Sequence, residues 1–207
     1  MPLIATMKKP QGTPSRSRFS ALQHHPRSWT YKVYLLPTPH QRHVRISAWR
    51  QLVQDMGVSE SLLRVVPTVP DWVPAQDAAD AAAEVVSAMC PGAGELVACR
   101  YAEVTFIDQG VNFEAVGCPV CAAPLDSDWW QERMDDAYAT RFATLDAVTP
   151  CCSATVSLND LEYYWPAAFA RFELQVRDPG RGWLSPDEAA QVSTVLGITV
   201  RQVFSHY

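Results

Sequence analysis

The sequence predicts an α+β protein in which helices pack on a mixed or antiparallel sheet. Three patterns support this fold class. Residues 95–107 form a long run rich in apolar and β-branched side chains, which is typical of a strand. The residues after Asp77 carry apolar side chains at helical spacing on one face. Ser185-Pro186-Asp187-Glu188 marks a helix N-terminus, with serine as the cap, proline in the first turn and glutamate closing a capping box.

The first half of the chain is predicted to contain several further elements. Residues 30–36 alternate and are rich in β-branched and aromatic side chains, which indicates a strand. Apolar residues at helical spacing predict a helix over 46–57, and a short helical turn is expected over 59–64. Asp108-Gln109-Gly110 is a turn sequence, so we expect residues 111–116 to return as the second strand of a hairpin.

The second half contains more helical and strand patterns. Asp126 or Ser127 is expected to cap a helix that runs to about Phe142. Residues 169–177 alternate, which predicts a strand with one solvated face. The helix that begins at Ser185 should end at Gly197. The remaining predictions are a short strand over 154–158, a short helix over 157–164 and a last short helix over 199–207.

Charge is distributed unevenly along the chain. No acidic residue precedes Asp55, so the start of the chain carries +9 and the remainder −14. Residues 1–28 show no periodicity and are predicted to be a disordered basic tail. We divide the rest into an N-terminal α+β part at 29–116 and a C-terminal part at 117–207, which could share one core. The tail could pack on the acidic body, stay solvated, or bind nucleic acid through Lys8, Lys9, Arg16, Arg18 and Arg27.

Several protein classes are disfavoured by the sequence. No apolar run approaches the ~20 residues of a membrane span, and the start of the chain has no secretory apolar region, so a cytoplasmic protein without a membrane segment is expected. No glycine-rich phosphate loop, nucleophile elbow or His-Glu-x-x-His motif occurs, which disfavours the common enzyme classes. Arginine outnumbers lysine, which indicates a GC-rich bacterial genome.

Four of the six cysteines lie in two clusters, Cys118-Pro119-Val120-Cys121 and Pro150-Cys151-Cys152. In a chain without a secretory signal, clustered cysteines favour metal binding over disulfides. A Cys-x-x-Cys turn presents two thiolates on one side of a loop, and a second segment must supply the other pair for a tetrahedral ion. We therefore predict a structural Zn²⁺ held by Cys118, Cys121, Cys151 and Cys152.

Residues 118–158 resemble a zinc ribbon with a helical insertion, or a treble-clef-like relative. The chain is also similar to bacterial proteins that pair a Cys-Pro-x-Cys knuckle with a Thr-Pro-Cys-Cys turn, a group whose resemblance implies no activity. The adjacent Cys151 and Cys152 depart from the ribbon pattern, because neighbouring side chains point apart. If only one of them binds the metal, the fourth ligand would come from a distant residue: His40, His43, His206, Cys90 or Cys99.

Other interpretations of these residues remain open. Reduced cysteines can pack as small apolar groups, which is what we expect of Cys90 and Cys99. Cys-Pro-x-Cys after a strand also resembles a thioredoxin-type redox motif, although Pro124 prevents a helix from running on from Cys118. Trp129-Trp130 and Trp165 either pack beside the metal module as core or form an aromatic binding surface.

Three functional hypotheses follow. The first is a non-enzymatic bacterial accessory, adaptor or immunity-type protein that binds a protein partner and uses zinc only for stability. The second is a nucleic-acid-binding protein that uses the ribbon and the basic tail. The third is a thiol redox enzyme or a zinc enzyme, in which three cysteines leave the ion one open position.

Overall fold

The computed structural model describes residues 3–7, 31–35 and 59–207. Its strands are β1 (Leu3–Met7), β2 (Tyr31–Leu35), β3 (Ser61–Pro67), β4 (Glu95–Ile107), β5 (Val116–Gly117), β6 (Pro124–Leu125), β7 (Asp146–Val148), β8 (Thr155–Ser157), β9 (Glu162–Tyr163), β10 (Ala168–Arg177) and β11 (Val200–His206). Its helices are α1 (Gln76–Met89), α2 (Ser127–Ala139) and α3 (Pro186–Leu196), with a 3-10 turn at Leu158–Asp160. The predicted α+β class is therefore confirmed.

Six strands form one antiparallel sheet in the order β11-β3-β10-β4-β1-β2. The centre of this sheet is β10, which pairs with β3 on one side and with β4 on the other. The sheet thus combines strands from before and after position 117. The two ends of the stretch 59–207 are brought together, because β3 and β11 pair from Ser61–His206 to Pro67–Val200.

Helices α1 and α3 cover one face of the sheet. The underside of α1 presents fully buried small residues, among them Ala79, Ala82 and Val86, which allow the helix to lie close to the strands. Phe172 and Leu174 of β10 lie beneath it and are inaccessible to solvent. This continuous apolar layer is the larger core of the protein, and its burial supplies the main drive to fold the sheet.

The N-terminus of α3 is specified by its sequence. The Ser185 hydroxyl accepts a hydrogen bond from the Glu188 N–H, and the Glu188 carboxylate accepts one from the Ser185 N–H. Arg181 holds the same carboxylate through two guanidinium nitrogens, at 2.6 and 2.8 Å. The helix ends at Gly197, whose φ of 73° is readily adopted by glycine. The predicted capping box and the predicted end of this helix are both confirmed.

The opposite face of the sheet contains a buried polar network. Glu173 of β10 is 0% exposed, accepts a hydrogen bond of 2.6 Å from the Tyr101 hydroxyl, and lies 3.7 Å from the guanidinium of Arg64. Arg64 in turn donates to the Tyr207 hydroxyl, which donates to Asp108. The carboxylate raises the pKa of Tyr101 further, although burial is the larger cause. The buried side chains of Glu173 and Arg64 thus have each other and two tyrosine hydroxyls as polar partners, which offsets the cost of removing them from water.

A second, smaller core lies at one end of the sheet and is called the cysteine module here, meaning residues 116–163. It contains a three-stranded sheet in the order β6-β5-β9, the hairpin β7–β8 and helix α2. Trp130, Met134 and Ala137 form the buried face of α2. The module meets the main sheet through Phe169 of β10 and Phe106 of β4, whose rings lie 5.0 Å apart.

Several predicted elements agree with the structure. The strands expected at 30–36, 95–107 and 154–158 correspond to β2, β4 and β8. The helix expected after Asp77 is α1, and the helix expected near Asp128 is α2, capped by Asp126 rather than Ser127. Asp126 accepts hydrogen bonds from the N–H groups of Asp128 and Trp129. Helix α2 ends at Ala139, three residues before the predicted end.

Two predicted helices are wrong, because both segments are strands. The segment 59–64 overlaps β3, which begins at Ser61. The apolar and β-branched residues of this strand are buried between β10 and β11. Residues 199–207 form β11, although Val200, Val203 and Phe204 also match helical spacing. In β11 these residues lie on both faces of a sheet, with Val203 on the face opposite to Phe204. Pairing with β3 therefore overrides the local pattern.

Three further expectations need correction. Residues 111–116 do not return along β4; only Val116–Gly117 is a strand, and it pairs with β6 and β9. Gly110 has a φ of 64° and bridges to His206, which turns the chain out of the main sheet. Residues 157–164 form a 3-10 turn followed by β9, not one helix. Residues 169–177 lack the predicted solvated face, because Phe172 and Leu174 of β10 pack beneath the helices and Glu173 on the opposite face is buried in the polar network.

Some predictions concern residues outside the described part. The helix over 46–57, His40, His43 and most of the basic tail belong to this group. Within the predicted disordered tail, residues Leu3–Met7 form strand β1, which pairs with β4 and β2. Among the described residues, no helix has the length and apolar character needed to cross a bilayer.

Candidate metal site

The first cysteine pair lies on the turn between β5 and β6. Residues 118–123 form a closed loop, in which the Cys118 N–H donates to the Ala123 carbonyl and the Ala122 N–H donates to the Cys118 carbonyl, each at 2.9 Å. Ala122 has a φ of 57°, a left-handed conformation that tightens the loop. Cys118 is 0% exposed, whereas Cys121 faces solvent.

The second cysteine pair lies on an equivalent turn between β7 and β8. The Thr149 N–H donates to the Ala154 carbonyl at 2.9 Å, and the Ser153 N–H donates to the Thr149 carbonyl at 3.0 Å. Ser153 has a φ of 57°. Both turns therefore have the same backbone hydrogen bonds, and in both the residue in the fifth position has a left-handed conformation.

This equivalence gives a position-by-position match between residues 118–123 and 149–154. Proline occupies the second position in both turns, as Pro119 and Pro150, and a cysteine occupies the fourth, as Cys121 and Cys152. The first position differs, because Thr149 stands where the first turn has Cys118. The second turn instead carries an extra cysteine, Cys151, in the third position.

The four sulfur atoms of Cys118, Cys121, Cys151 and Cys152 all lie within 4.8 Å of one another. The Cys121–Cys151 distance is 3.3 Å, the Cys118–Cys152 distance is 3.7 Å and the Cys151–Cys152 distance is 3.9 Å. Four sulfurs around a zinc ion at about 2.3 Å would be separated by about 3.8 Å, the edge of the tetrahedron. The cluster thus has the composition and the spacing that tetrahedral zinc requires.

Hydrogen bonds within the turns favour thiolates at two of these positions. The N–H groups of Cys121 and Val120 lower the pKa of the Cys118 thiol to about 6, against desolvation. The Thr149 hydroxyl, followed by the Ala154 N–H, lowers the pKa of Cys152. These donors supply positive potential before any cation is bound.

Cys121 shows the opposite tendency. The Ala123 N–H lowers its pKa, but this effect is outweighed by the sulfur of Cys151, by desolvation, and by Cys118 and Cys152, which together raise the pKa to about 12. Sulfurs this close cannot all carry a negative charge without a counter-ion. A divalent cation would remove this restriction and deprotonate the remaining thiols.

The other sequence candidates for the fourth ligand do not join the cluster where the structure describes them. Cys90 and Cys99 are buried in or beside the main sheet, as predicted for small apolar side chains. His206 is on β11, where Nδ1 lies 3.2 Å from the Ser61 hydroxyl and Nε2 lies 3.2 Å from the Ser59 hydroxyl. The cluster already contains four cysteines without them.

The redox interpretation does not agree with the local structure. After Cys121 the chain continues into β6, and the next helix begins at Ser127. Cys118 therefore does not lie at a helix N-terminus, which is the feature that activates the first cysteine of thioredoxin-type proteins.

Trp130 packs as core beneath the module, while Trp165 stacks on Trp183 at a centroid distance of 6.1 Å.

Thr149 is the site residue that the sequence analysis missed. It is 1% exposed, and its hydroxyl lies 3.3 Å from the Cys152 sulfur. The sequence contained a usable signal, because Cys118-Pro-Val-Cys-Ala-Ala and Thr149-Pro-Cys-Cys-Ser-Ala can be aligned without gaps. Such an alignment would have placed Thr149 at a ligand position.

Comparison with known proteins adds no identification. No protein-family model matches the chain, and neither a curated protein nor a solved structure matches it.

Proposed function

We propose that this chain binds one Zn²⁺ through Cys118, Cys121, Cys151 and Cys152, and that the ion has a structural role in a non-enzymatic binding protein. The observation that carries the proposal is the approach of all four sulfurs to within 4.8 Å. Zinc held by four thiolates has no free position for substrate, which favours stabilisation over catalysis.

The architecture of the cysteine module supports a structural role. Strands β5 and β6 contain two residues each, and β7 and β8 contain three each. Such short hairpins are marginally stable on their own in water. A metal ion bound between their turns would cross-link the hairpins through coordination bonds, so the binding free energy would contribute directly to folding.

Elemental analysis of untagged protein tests the metal directly. We expect one zinc per chain in the wild type and little or none in the variant Cys118→Ser. Cys90→Ser is a matched control, because Cys90 is also a buried, reduced cysteine but lies in the main core. Zinc-free wild-type protein that keeps its full stability would contradict the proposal.

We further propose that the partner is a protein with a basic surface, bound beside the metal. Residues 59–207 contain 21 acidic and 8 basic side chains, a net charge of −13. The hairpins β5–β6 and β7–β8, which carry the cysteines, are called the metal hairpins. Two of their apolar side chains, Val120 and Val148, are 64% and 58% exposed. Apolar contacts flanked by complementary charge are the usual composition of an interface. A bacterial accessory, adaptor or immunity-type role is the form of this function that we favour.

Site-specific photo-crosslinking tests the partner. A crosslinking residue at Val120 or Val148 should yield one discrete adduct with a basic protein, weakened by salt, while the same residue at exposed Ala190 of α3 should not. Equal adducts from both regions would contradict a specific surface at the metal hairpins. Nucleic-acid binding by the tail stays a prediction. Salt-dependent binding of generic DNA or RNA that disappears when Lys8, Lys9, Arg16, Arg18 and Arg27 are replaced by glutamine would support it, and these changes leave strand β1 in place.

A further inference from the structure

We propose that Cys151 is an exchangeable ligand of the zinc site, and that its departure opens one coordination position to an external thiolate. Cys118, Cys121 and Cys152 would hold the ion from matched positions of the two turns. This inference rests on the proposed zinc site and adds to it an order of ligand strength.

The register of the two turns distinguishes Cys151 from the other three cysteines. In a symmetric pair of knuckles, the first and fourth positions of each turn would supply the ligands. Here the first position of the second turn is Thr149, a buried residue whose hydroxyl contacts both the Cys152 sulfur and the Ala154 carbonyl at 3.3 Å. Thr149 thus acts as a positioning residue for Cys152 and leaves one ligand position to be filled.

The third position of the turn, which Cys151 occupies, differs from the ligand positions in its direction. Its occupant in the first turn, Val120, is 64% exposed, so in that turn the third position faces solvent. Cys151 occupies the same position and must turn its sulfur inward to reach Cys121 at 3.3 Å. A ligand that binds from an outward-facing position is the one that can rotate into solvent without moving the turn.

The two adjacent cysteines also differ in what orients their sulfurs. The Cys152 sulfur contacts the Thr149 hydroxyl of its own turn at 3.3 Å. The Cys151 sulfur contacts other sulfurs of the cluster, at 3.3 Å from Cys121 and 3.9 Å from Cys152. Cys152 is therefore the ligand that its turn holds in place.

The exchange itself conserves charge and involves no oxidation. The zinc–sulfur bond to Cys151 breaks, and the sulfur of an incoming thiol forms a new bond to zinc. The proton of the incoming thiol is transferred to the Cys151 thiolate, which leaves as a neutral thiol. Because Cys151 is exposed, the incoming thiol reaches the ion from solvent.

Cobalt(II) substitution tests this order of ligands, because the absorption spectrum of the bound ion reports the number of thiolates. Three proteins are compared with the wild type: C151A, C152A and T149C/C151A. We expect C151A to weaken cobalt binding roughly tenfold and C152A roughly a hundredfold. In C151A, added 2-mercaptoethanol should restore the four-thiolate spectrum. In T149C/C151A, the restored ligand should give that spectrum without added thiol.

The outcomes separate this inference from the proposed zinc site. Wild-type protein that binds no cobalt or zinc would remove both. A wild type with four thiolates in which C151A and C152A lose affinity equally would overturn only the exchangeable ligand. Failure of T149C to restore the fourth thiolate in correctly folded C151A protein, judged by circular dichroism, would overturn the register argument.

Discussion

The main sheet and the cysteine module obtain their stability in different ways. In the main sheet, ten-residue β10 lies between two long strands, and its Phe172, Leu174 and Val176 are fully buried beneath two helices. In the module, the hairpin strands have two or three residues, and four cysteines converge where their turns meet. The sheet therefore combines extensive apolar burial with long strand pairs, whereas the module has few backbone pairs and would gain most from a cross-link between its turns.

Metal removal and core mutation should therefore act on separate parts of the molecule. Phe106 and Phe169 connect the two cores, so some coupling is expected at that contact. Away from it, a loss in one region should leave the other ordered.

Metal removal is expected to have the largest effect. Structural zinc contributes an apparent binding free energy of about 10–16 kcal/mol in small zinc domains. Chelation should therefore abolish hydrogen-exchange protection over 116–163 while β3, β10 and α1 stay protected, as measured by exchange with mass spectrometry. Restored protection after zinc is added back would serve as the control. Uniform loss across both regions would show that the two cores are not independent.

Truncation of the main core is expected to have the next largest effect. Phe172→Ala should lower the free energy of unfolding by about 3–5 kcal/mol, because the ring is fully buried and leaves a cavity. Denaturant unfolding measures the loss. Zinc content should stay unchanged in the folded fraction; loss of zinc by a folded variant would contradict the separation of the two regions.

The buried ion pair offers a sharper test within the main sheet. Glu173→Leu leaves Arg64 without its carboxylate and should cost about 3 kcal/mol. The double variant R64M/E173L removes both charges and should be more stable than the single variant. Denaturant unfolding of the two proteins makes the comparison. A double variant that is less stable than E173L would mean that the Arg64–Glu173 pair contributes little.

The smallest effects are expected at the start of α3. Ser185→Ala should cost about 1 kcal/mol through loss of the cap.

Hydrogen bonds from Arg181 and from the Ser185 N–H lower the pKa of Glu188 to about 2 from an ordinary 4.5. A lowered pKa stabilises the fold above the ordinary value, so this contribution is lost as pH falls from 4.5 towards 2. The stability difference between wild type and E188Q should shrink over that interval; a constant difference would contradict the assignment.

The sequence predicted elements whose signals are local. The capping box at Ser185 and the long apolar run of 95–107 each specify an element from neighbouring residues alone. Strand β11 was missed because Val200, Val203 and Phe204 have helical spacing, whereas in the strand they are divided between the two faces of the sheet. Only pairing with β3 favours the strand. Residues 111–116 were misjudged because the bridge from Gly110 to His206 spans most of the described chain.

The candidate site was predictable in composition but not in arrangement. The four cysteines were identified from their two clusters in the sequence, and the structure brings the same four together. The adjacent Cys151 and Cys152 looked incompatible because a strand or helix would direct their side chains apart. The tight turn ending in left-handed Ser153 resolves this difficulty, since it lets both sulfurs approach the pair from the first turn. Their placement depends on the packing of two hairpins that are distant in sequence.

X-ray absorption at the zinc edge, recorded on untagged protein purified without added metal, tests the central claim most directly. We predict one zinc ion per chain with four sulfur neighbours at about 2.3 Å. Protein that contains no zinc, or zinc surrounded mainly by nitrogen and oxygen, would contradict the account.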